Sequence, residues 1–252
     1  MNHPDVQIGP DETLDRLTGA WWILQLARGH RYNTDDVLTA WTALQVRAEV
    51  DRILDLGSGV GSVGLMVLQE LPAGASLTSL EVQAVSVGLA RRTAALNGVT
   101  ERVDMRHGDL RDDAILADCD AFPLILANPP YLSPGKAVAS PHPQRAAARL
   151  ELHGDVFDYC RTAANKLAED GRFCFCHSAR DPRPERAITD AGLRILARRD
   201  VVFRHGQPPM LALFECGWTG PRAERDSLYI RGEDGRWAQP YLEIRRTMRI
   251  DP

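Results

Sequence analysis

The stretch Ile53-Leu-Asp-Leu-Gly-Ser-Gly-Val-Gly61 decides the fold of this chain of 252 residues. Its first four residues are typical of a buried strand, and the apolar pattern of residues 63–68 indicates a helix soon after the glycines. Glycines at such a strand-to-helix turn let the backbone approach a ligand closely and let the helix pack tightly on the sheet. We therefore expect a cofactor-binding turn here. Its candidate residues are Asp55, Gly57, Gly59 and Gly61.

Strands and helices alternate from this stretch onward. The predicted strands that follow are residues 76–80, 103–107, 122–127, 173–177, 193–196, 200–203 and 210–216, and the predicted helices are residues 84–97, 156–168 and 184–191. Repeated strand–helix units indicate a mostly parallel sheet that is covered by helices on both faces. No internal repeat, low-complexity tract or linker divides the chain.

A small extension precedes the first strand. Residues 1–19 show no clear periodicity, and we expect an irregular or short helical lead there. Residues 21–27 and 31–33 are rich in strand formers and predict a hairpin. Thr34 is typical of a helix N-cap, and the two acidic residues after it suit the first turn of a helix. The predicted division is a hairpin-and-helix extension over residues 1–50 and one domain over residues 51–252.

The formal net charge of −4 is unevenly distributed. Residues 1–140 hold 11 Lys and Arg against 18 Asp and Glu, a balance of −7, whereas residues 141–252 hold 19 against 16, a balance of +3. This composition argues against a uniformly basic nucleic-acid binder. The basic second half is a weak indication of a polyanionic partner.

The cysteines and the hydropathy of the sequence limit the classes of protein to which this chain can belong. The five cysteines form no Cys-x-x-Cys pair, which indicates reduced thiols and no metal site. No apolar run reaches membrane-spanning length, and the first residues lack the basic and apolar regions of a signal peptide. We therefore expect a cytoplasmic protein with no membrane partner.

Acidic residues follow two further predicted strands. Glu81 ends the second strand, 24 residues beyond Gly57, where a carboxylate can accept both hydroxyls of a ribose. The alternative for Glu81 is a solvated strand end. Asp109 follows the third strand at the same edge and is a candidate to accept from an adenine amino group, although a simple turn explains it as well.

The fourth strand, Phe122–Ala127, runs into Asn128-Pro-Pro-Tyr131. The prolines must end the strand, because neither can donate to a ladder. The Asn128 carboxamide offers an acceptor and donors for an exocyclic amine, and the Tyr131 ring can stack on a flat heterocycle. In isolation the stretch is as compatible with a plain proline turn, but its position at a strand end that follows a glycine turn favours a ligand site.

In this order, the glycine turn, Glu81, Asp109 and Asn128-Pro-Pro-Tyr131 resemble the motifs of class I S-adenosylmethionine-dependent methyltransferases. The Asn-Pro-Pro-Tyr form resembles the branch that methylates adenine N6, guanine N2 or a glutamine side-chain amide. Three flanking stretches resemble the bacterial family that methylates adenine N6 beside the anticodon of a valine tRNA. They are residues 32–41, 144–149 and 228–235.

The resemblance implies a seven-stranded, mostly parallel Rossmann-like α/β sheet with S-adenosylmethionine as the cofactor and a tRNA as the RNA substrate. It implies that Thr34 and Asp35 close over the methionine end of the cofactor. It also implies catalytic roles for Asn128, Pro129 and Tyr131, with the Asn128 side-chain oxygen and the Pro129 carbonyl accepting the two N–H bonds of the target amine. Tyr131 would then stack on a base that is splayed out of its loop.

Other functions use the same residues. A glutamine N5 or guanine N2 methyltransferase needs the same Asn-Pro-Pro-Tyr geometry, and a third possibility is a non-catalytic protein of this fold that binds RNA or a partner. Residues 132–149, rich in Pro, Ala and basic side chains, predict a loop that serves as a lid or substrate arm or is a mobile insertion. The sequence leaves open which tRNA is modified and the oligomeric state.

Overall fold

The computed structural model describes residues 6–133, 135 and 140–250. Residues 134 and 136–139 of the predicted loop, and the two chain ends, lie outside the described residues. The strands are β1 (Glu12–Thr18), β2 (Trp21–Leu26), β3 (Arg52–Leu56), β4 (Ser76–Glu81), β5 (Val103–His107), β6 (Phe122–Ala127), β7 (Leu167–Ser178), β8 (Arg194–Val202), β9 (Leu211–Gly217) and β10 (Asp226–Tyr229). The helices are α1 (Thr34–Val46), α2 (Ser62–Glu70), α3 (Ala84–Leu96), α4 (Pro143–Arg149), α5 (Val156–Lys166), α6 (Arg183–Asp190) and α7 (Gln239–Thr247).

The central sheet has eight strands in the order β10-β8-β9-β7-β6-β3-β4-β5. β3 lies near its middle and pairs in parallel with β4 and β6, while β9 runs antiparallel to β7 and β8. The inner strands are apolar along their length, since helices cover both faces of a mostly parallel sheet. The predicted α/β class and mostly parallel sheet are confirmed.

The strand count differs from the seven implied by the resemblance. The additional edge strand is β10, which pairs in parallel with β8 and buries only Leu228. A four-residue strand with one buried side chain lacks the apolar alternation that predicts a strand. The two separate strands predicted at residues 193–196 and 200–203 are in fact the single strand β8, which has a register irregularity between Ile195 and Ala197.

The N-terminal hairpin is built from different residues than predicted. β1 pairs antiparallel with β2, so the expected irregular lead is wrong over Glu12–Thr18, whereas residues 6–11 are irregular as expected. Residues 31–33 form no strand. The sequence did not predict β1, because several of its residues are charged and strand patterns are recognised by apolar residues. In the fold these charges are paired with residues of other segments. Glu12 bonds Arg92 on α3, and Asp15 pairs with Arg31.

The N-cap of helix α1 lies one residue before the predicted position. Its N-cap is Asn33 and not Thr34, since the Asn33 side chain accepts from the Asp35 N–H and the Asp36 carboxylate accepts from the Asn33 N–H. This reciprocal pair is a capping box that satisfies two otherwise unpaired donors. The predicted loop over residues 132–149 contains helix α4 at its end.

The hairpin is fastened to the helical layer by side chains of α3. The Asn97 side chain accepts from the Trp22 N–H at 2.9 Å and donates to the Trp22 carbonyl at 2.8 Å, which imitates a neighbouring strand. Thr93 accepts from the Leu24 N–H in the same way. Leu24 is part of one apolar cluster with residues of α1 and α2, so the hairpin shares the core of the sheet.

No helix in the described part of the chain is long and apolar enough to cross a membrane.

We predict that Asn97→Ala lowers the free energy of unfolding by about 1–3 kcal/mol, because it leaves the edge of β2 without its hydrogen-bond partners. Urea denaturation followed by circular dichroism measures this change. Asn165→Ala is the matched control, since Asn165 is exposed on α5 and should change stability by less than about 0.5 kcal/mol. Equal stability of the two variants would show that the hydrogen bonds between Asn97 and Trp22 do not stabilise the fold.

Candidate active site

Two cavities meet at the end of β6. The first lies over the carboxyl ends of β3 and β4 and is lined by residues of the glycine turn, by Glu81 and by Tyr159 of α5. The second lies beyond Asn128-Pro-Pro-Tyr131 and has a volume of about 600 Å³. Asn128 lines both cavities. The site is therefore a pair of neighbouring compartments with one amide at their junction.

The glycine turn has a backbone that only glycine adopts easily. Gly57, Gly59 and Gly61 have φ values of 63°, 56° and 86°, all in the left-handed region. A Cβ at Gly57 would also collide with the Tyr159 hydroxyl. Gly57 and Gly59 line the first cavity, whereas Gly61 serves as the N-cap of α2. The turn thus leaves room for a ligand to lie directly on the backbone.

Glu81 is buried at the floor of the first cavity. One carboxylate oxygen accepts from the Gly59 N–H at 2.9 Å, and the other accepts from the Gln83 N–H at 2.7 Å. Burial raises the pKa of Glu81, while these backbone hydrogen bonds oppose the rise. Each carboxylate oxygen retains capacity for a second hydrogen bond, so the group can still accept from a pair of hydroxyls.

Asp55 is buried beside Glu81. Its carboxylate accepts from the Gly64 N–H at 2.9 Å, and burial raises its pKa to about 8. Together with the buried Asp36 these acids give the first cavity a surplus of carboxylates. A ligand that carries hydroxyls and a positive charge fits such a cavity, because opposite charge favours the ionised carboxylates.

The orientation of the Asn128 amide is fixed from both ends. Its Nδ2 donates to the Asp36 carboxylate at 3.3 Å, and its Oδ1 accepts from the Cys176 thiol at 2.9 Å. Burial holds the pKa of the Cys176 thiol well above its usual range, so the sulfur keeps its proton. The amide oxygen still has a second lone pair for an incoming N–H.

The second cavity combines an aromatic ring with a basic rim. Tyr131 is half-buried and lies edge-on to His177, with ring centroids 5.8 Å apart. Burial raises the pKa of Tyr131, which therefore stays a neutral phenol. Four exposed arginines line this cavity and make no salt bridge with a carboxylate among the described residues, although the positive charge of Arg149 acts on the Asp35 carboxyl. They are Arg28, Arg145, Arg149 and Arg180.

Three predicted site residues lie elsewhere than expected. Asp35 lines the second cavity and not the first, and burial together with the charge of Asp36 raises its pKa to about 7. Thr34 lines neither cavity, and its hydroxyl lies 3.4 Å from that of Tyr241. The Asp109 carboxylate is paired with Arg111 beside the first cavity. Cofactor roles for these residues remain predictions from the sequence.

Several residues to which the sequence analysis assigned no role line the site, although some of them lie in the flanking stretches 32–41 and 144–149. Asp36, adjacent to the predicted Asp35, accepts from the Ser62 hydroxyl at 2.9 Å as well as from Asn128. The Gln144 side chain accepts from the His30 N–H at 2.6 Å. The capping box could have indicated Asp36, but nothing local indicates Gln144. Among the other lining residues without a predicted role are Tyr32, His153 and Tyr159.

Helix α4 separates the two cavities. Gln144 and Ala147 line the first, Arg145 and Arg149 line the second, and Ala148 lines both. This division follows from helical spacing, because residues three or four apart share a face. Among the residues that the structure describes, no group of three His, Cys, Asp or Glu side chains is placed to hold a metal ion.

The sheet is open, with a glycine turn after β3, a buried acid at the end of β4 and an amide directly after β6. This combination defines the class I methyltransferase architecture. Residues 39–179 match the family model described as the methyltransferase small domain. The chain belongs to this family, and it is a methyltransferase. The family and the fold imply S-adenosylmethionine as the methyl donor.

Two curated relatives and one solved structure agree with this assignment. The tRNA1(Val) (adenine(37)-N6)-methyltransferases of Enterobacter sp. (strain 638) and Erwinia tasmaniensis are each 29% identical to this chain, and the alignments cover 85% and 86% of it and 86% of each relative. A predicted O-methyltransferase from Agrobacterium tumefaciens is 20% identical with a TM-score of 0.63, covering 87% of this chain and 98% of its own. The last comparison shows the fold.

We predict that Asp55→Asn removes part of the pH dependence of stability. Because the folded-state pKa of Asp55 is raised to about 8, its contribution is present at acidic pH and is lost as the pH rises through that value. Linkage gives a fall of about 2–3 kcal/mol between about pH 6 and about pH 9. Urea denaturation at both pH values should show a smaller fall for Asp55→Asn than for the wild type.

The control is Asp51→Asn, since Asp51 is exposed one residue before the same strand. This variant should keep the pH dependence of the wild type. An Asp55→Asn protein that loses as much stability as the wild type would show that the Asp55 carboxyl is ionised in the fold throughout this range.

Proposed function

We propose that this protein transfers a methyl group from S-adenosylmethionine to the N6 amine of an adenine in tRNA, near the anticodon, in the cytoplasm. The observation that carries the proposal is the Asn128 amide, held between a carboxylate-rich cavity and a larger cavity with an aromatic ring. Methyl transfer requires a donor and an acceptor to meet at one point, and this junction provides it.

The first cavity suits the donor. Gly57 and Gly59 would lie against the cofactor, and the Glu81 carboxylate is available for the ribose hydroxyls. The buried carboxylates of Asp36 and Asp55 favour a positively charged ligand. S-adenosylmethionine supplies an electrophilic methyl group on a sulfonium, so the task of the protein is mainly positioning.

The second cavity suits a flat amine acceptor. An arylamine nitrogen is a weak nucleophile, because its lone pair is delocalised into the ring. Acceptance of its two N–H bonds by the Asn128 side-chain oxygen and the Pro129 carbonyl would let the nitrogen direct its lone pair toward the methyl group. The same acceptors would stabilise the positive charge that develops on nitrogen as the carbon–sulfur bond breaks and the sulfonium becomes a neutral thioether. The methylated nitrogen would then lose one proton to water. Tyr131 would hold the base by stacking.

The basic rim favours RNA as the acceptor. Arg28, Arg145, Arg149 and Arg180 surround the second cavity, and guanidinium groups bind phosphates in bidentate fashion. The curated relatives are named as methyltransferases of adenine in a tRNA. A glutamine amide of a protein, the main alternative acceptor, gives no comparable reason for this charge.

We predict that Asn128→Ala reduces the rate of methyl transfer by about 10²–10³-fold while cofactor affinity changes by no more than about threefold. The loss follows from removing an acceptor that acts on charge developing in the transition state. Isothermal titration with S-adenosylmethionine and single-turnover transfer from labelled cofactor measure the two quantities. Asn165→Ala, on the exposed face of α5, is the control with wild-type values. A variant that retains full turnover would refute the role of Asn128.

The acceptor class has its own test. Incubation with labelled S-adenosylmethionine and either total tRNA or a protein extract should label the tRNA, and nucleoside mass spectrometry should identify N6-methyladenosine. Label in protein alone would support glutamine methylation, and N2-methylguanosine would replace adenine by guanine. Cofactor binding without transfer to either pool would favour a non-catalytic binding protein.

A further inference from the structure

We propose that the second cavity holds two adjacent nucleotides of the RNA. The target base would lie at Asn128 and Tyr131, and the base of a neighbouring nucleotide would lie against Phe203 and Met210 at the far end of the cavity. This inference rests on the proposed function and adds to it a subsite for the base of a neighbouring nucleotide.

The order of the strands separates the two positions. β9, β7 and β6 are neighbours in the sheet, and Asn128 directly follows β6. Ser178 ends β7 and pairs with Leu211, the first residue of the antiparallel β9. Phe203 and Met210 flank the turn between β8 and β9, so they reach the same edge on the side away from the glycine turn. The cavity thus extends along the sheet edge beyond the target position.

Met210 is an unusual side chain for this place. It is 58% exposed, the most exposed of the large apolar residues described. Its backbone is nevertheless held at two points, because its N–H donates to the Val201 carbonyl and its carbonyl accepts from the Ala179 N–H. Because Met210 lines the second cavity, its exposed thioether is placed to pack against an aromatic ring bound there.

Phe203 completes an apolar surface with Met210. It is half-buried, with one part packed against the main apolar cluster while it also lines the second cavity. Nucleobases stack on aromatic side chains whatever their sequence, and RNA-binding sites use such rings for single-stranded nucleotides. The surface is therefore suited to a second base.

The volume of the second cavity and the positive charge of Arg180 agree with a site for two nucleotides. About 600 Å³ is typical of a pocket for a drug-sized ligand and exceeds the needs of one planar base. Arg180 follows the end of β7, which lies between β6 and β9. A phosphate that links a base at Asn128 to a base at Met210 would lie near this position, where the exposed guanidinium of Arg180 lines the cavity and is available to bind it.

The test is a double-mutant cycle that combines variants of the protein with altered RNA substrates. The substrate is a stem-loop RNA around the adenosine that mapping of methylated total tRNA identifies, prepared intact and with an abasic nucleotide at either neighbouring position. We expect one of the two abasic substitutions to lower kcat/KM of the wild type about tenfold. Met210→Ala and Phe203→Ala should each lower kcat/KM on intact RNA by a similar factor. For each variant, kcat/KM on that abasic RNA should be little lower than its own kcat/KM on intact RNA.

Several controls make the cycle decisive. Phe203→Trp should retain activity on intact RNA, because it keeps an aromatic surface, and cofactor affinity should be unchanged in all variants. Ile8→Ala serves as the matched control, since Ile8 is an exposed apolar residue that lines neither cavity. Met210 is mostly exposed, so its substitution reports on the subsite even where Phe203→Ala lowers the melting temperature.

The outcomes separate the two proposals. If the wild type methylates the stem-loop but neither abasic substitution nor Met210→Ala changes kcat/KM, the subsite is refuted and the proposed function stands. Losses that multiply when the abasic RNA and the Met210→Ala variant are combined would also refute it. If the wild type methylates no RNA at all, the proposed function fails and the subsite fails with it.

Discussion

The buried carboxylate of Asp36 is the interaction on which the site depends. It accepts from the Asn33 N–H at the start of α1, from the Ser62 hydroxyl at the start of α2 and from the Asn128 amide after β6. These three donors belong to the N-terminal extension, the helix of the glycine turn and the acceptor motif. Because unpaired buried charge is costly, loss of any one donor is felt by the other two.

This carboxylate also sets the electrostatics of its surroundings. Asp36 contributes to the raised pKa values of both Asp35 and Asp55, in each case after the larger effect of burial. Without a ligand, the site therefore holds several acids that resist ionisation together. A cation placed among them would favour their ionised forms, since an opposite charge nearby lowers a carboxyl pKa. The sulfonium of S-adenosylmethionine supplies such a charge.

The sequence predicted those parts of the site that local chemistry determines. The strand pattern before Gly57, the acid at Glu81 and the amide at Asn128 follow from turn geometry and from the ends of buried strands, and all three reach the first cavity. The contribution of Gln144 could not be predicted, because it depends on where α4 packs, more than one hundred residues from its partner His30. The edge strand β10 escaped prediction for a related reason, since its position is determined by pairing with β8 and not by its own residues.

The reversal of β9 explains how one sheet edge carries two different cavities. In a wholly parallel sheet every strand on this edge would lead outward into a helix. Because β9 runs antiparallel to β7 and β8, the turn that joins β8 to β9 returns to the edge beside the end of β7. That turn brings Phe203 and Met210 to the second cavity, while the parallel half of the sheet brings the glycine turn and Glu81 to the first cavity. The change of strand direction thus divides the edge into a half that carries the first cavity and a half that carries the second, with Asn128 at the boundary.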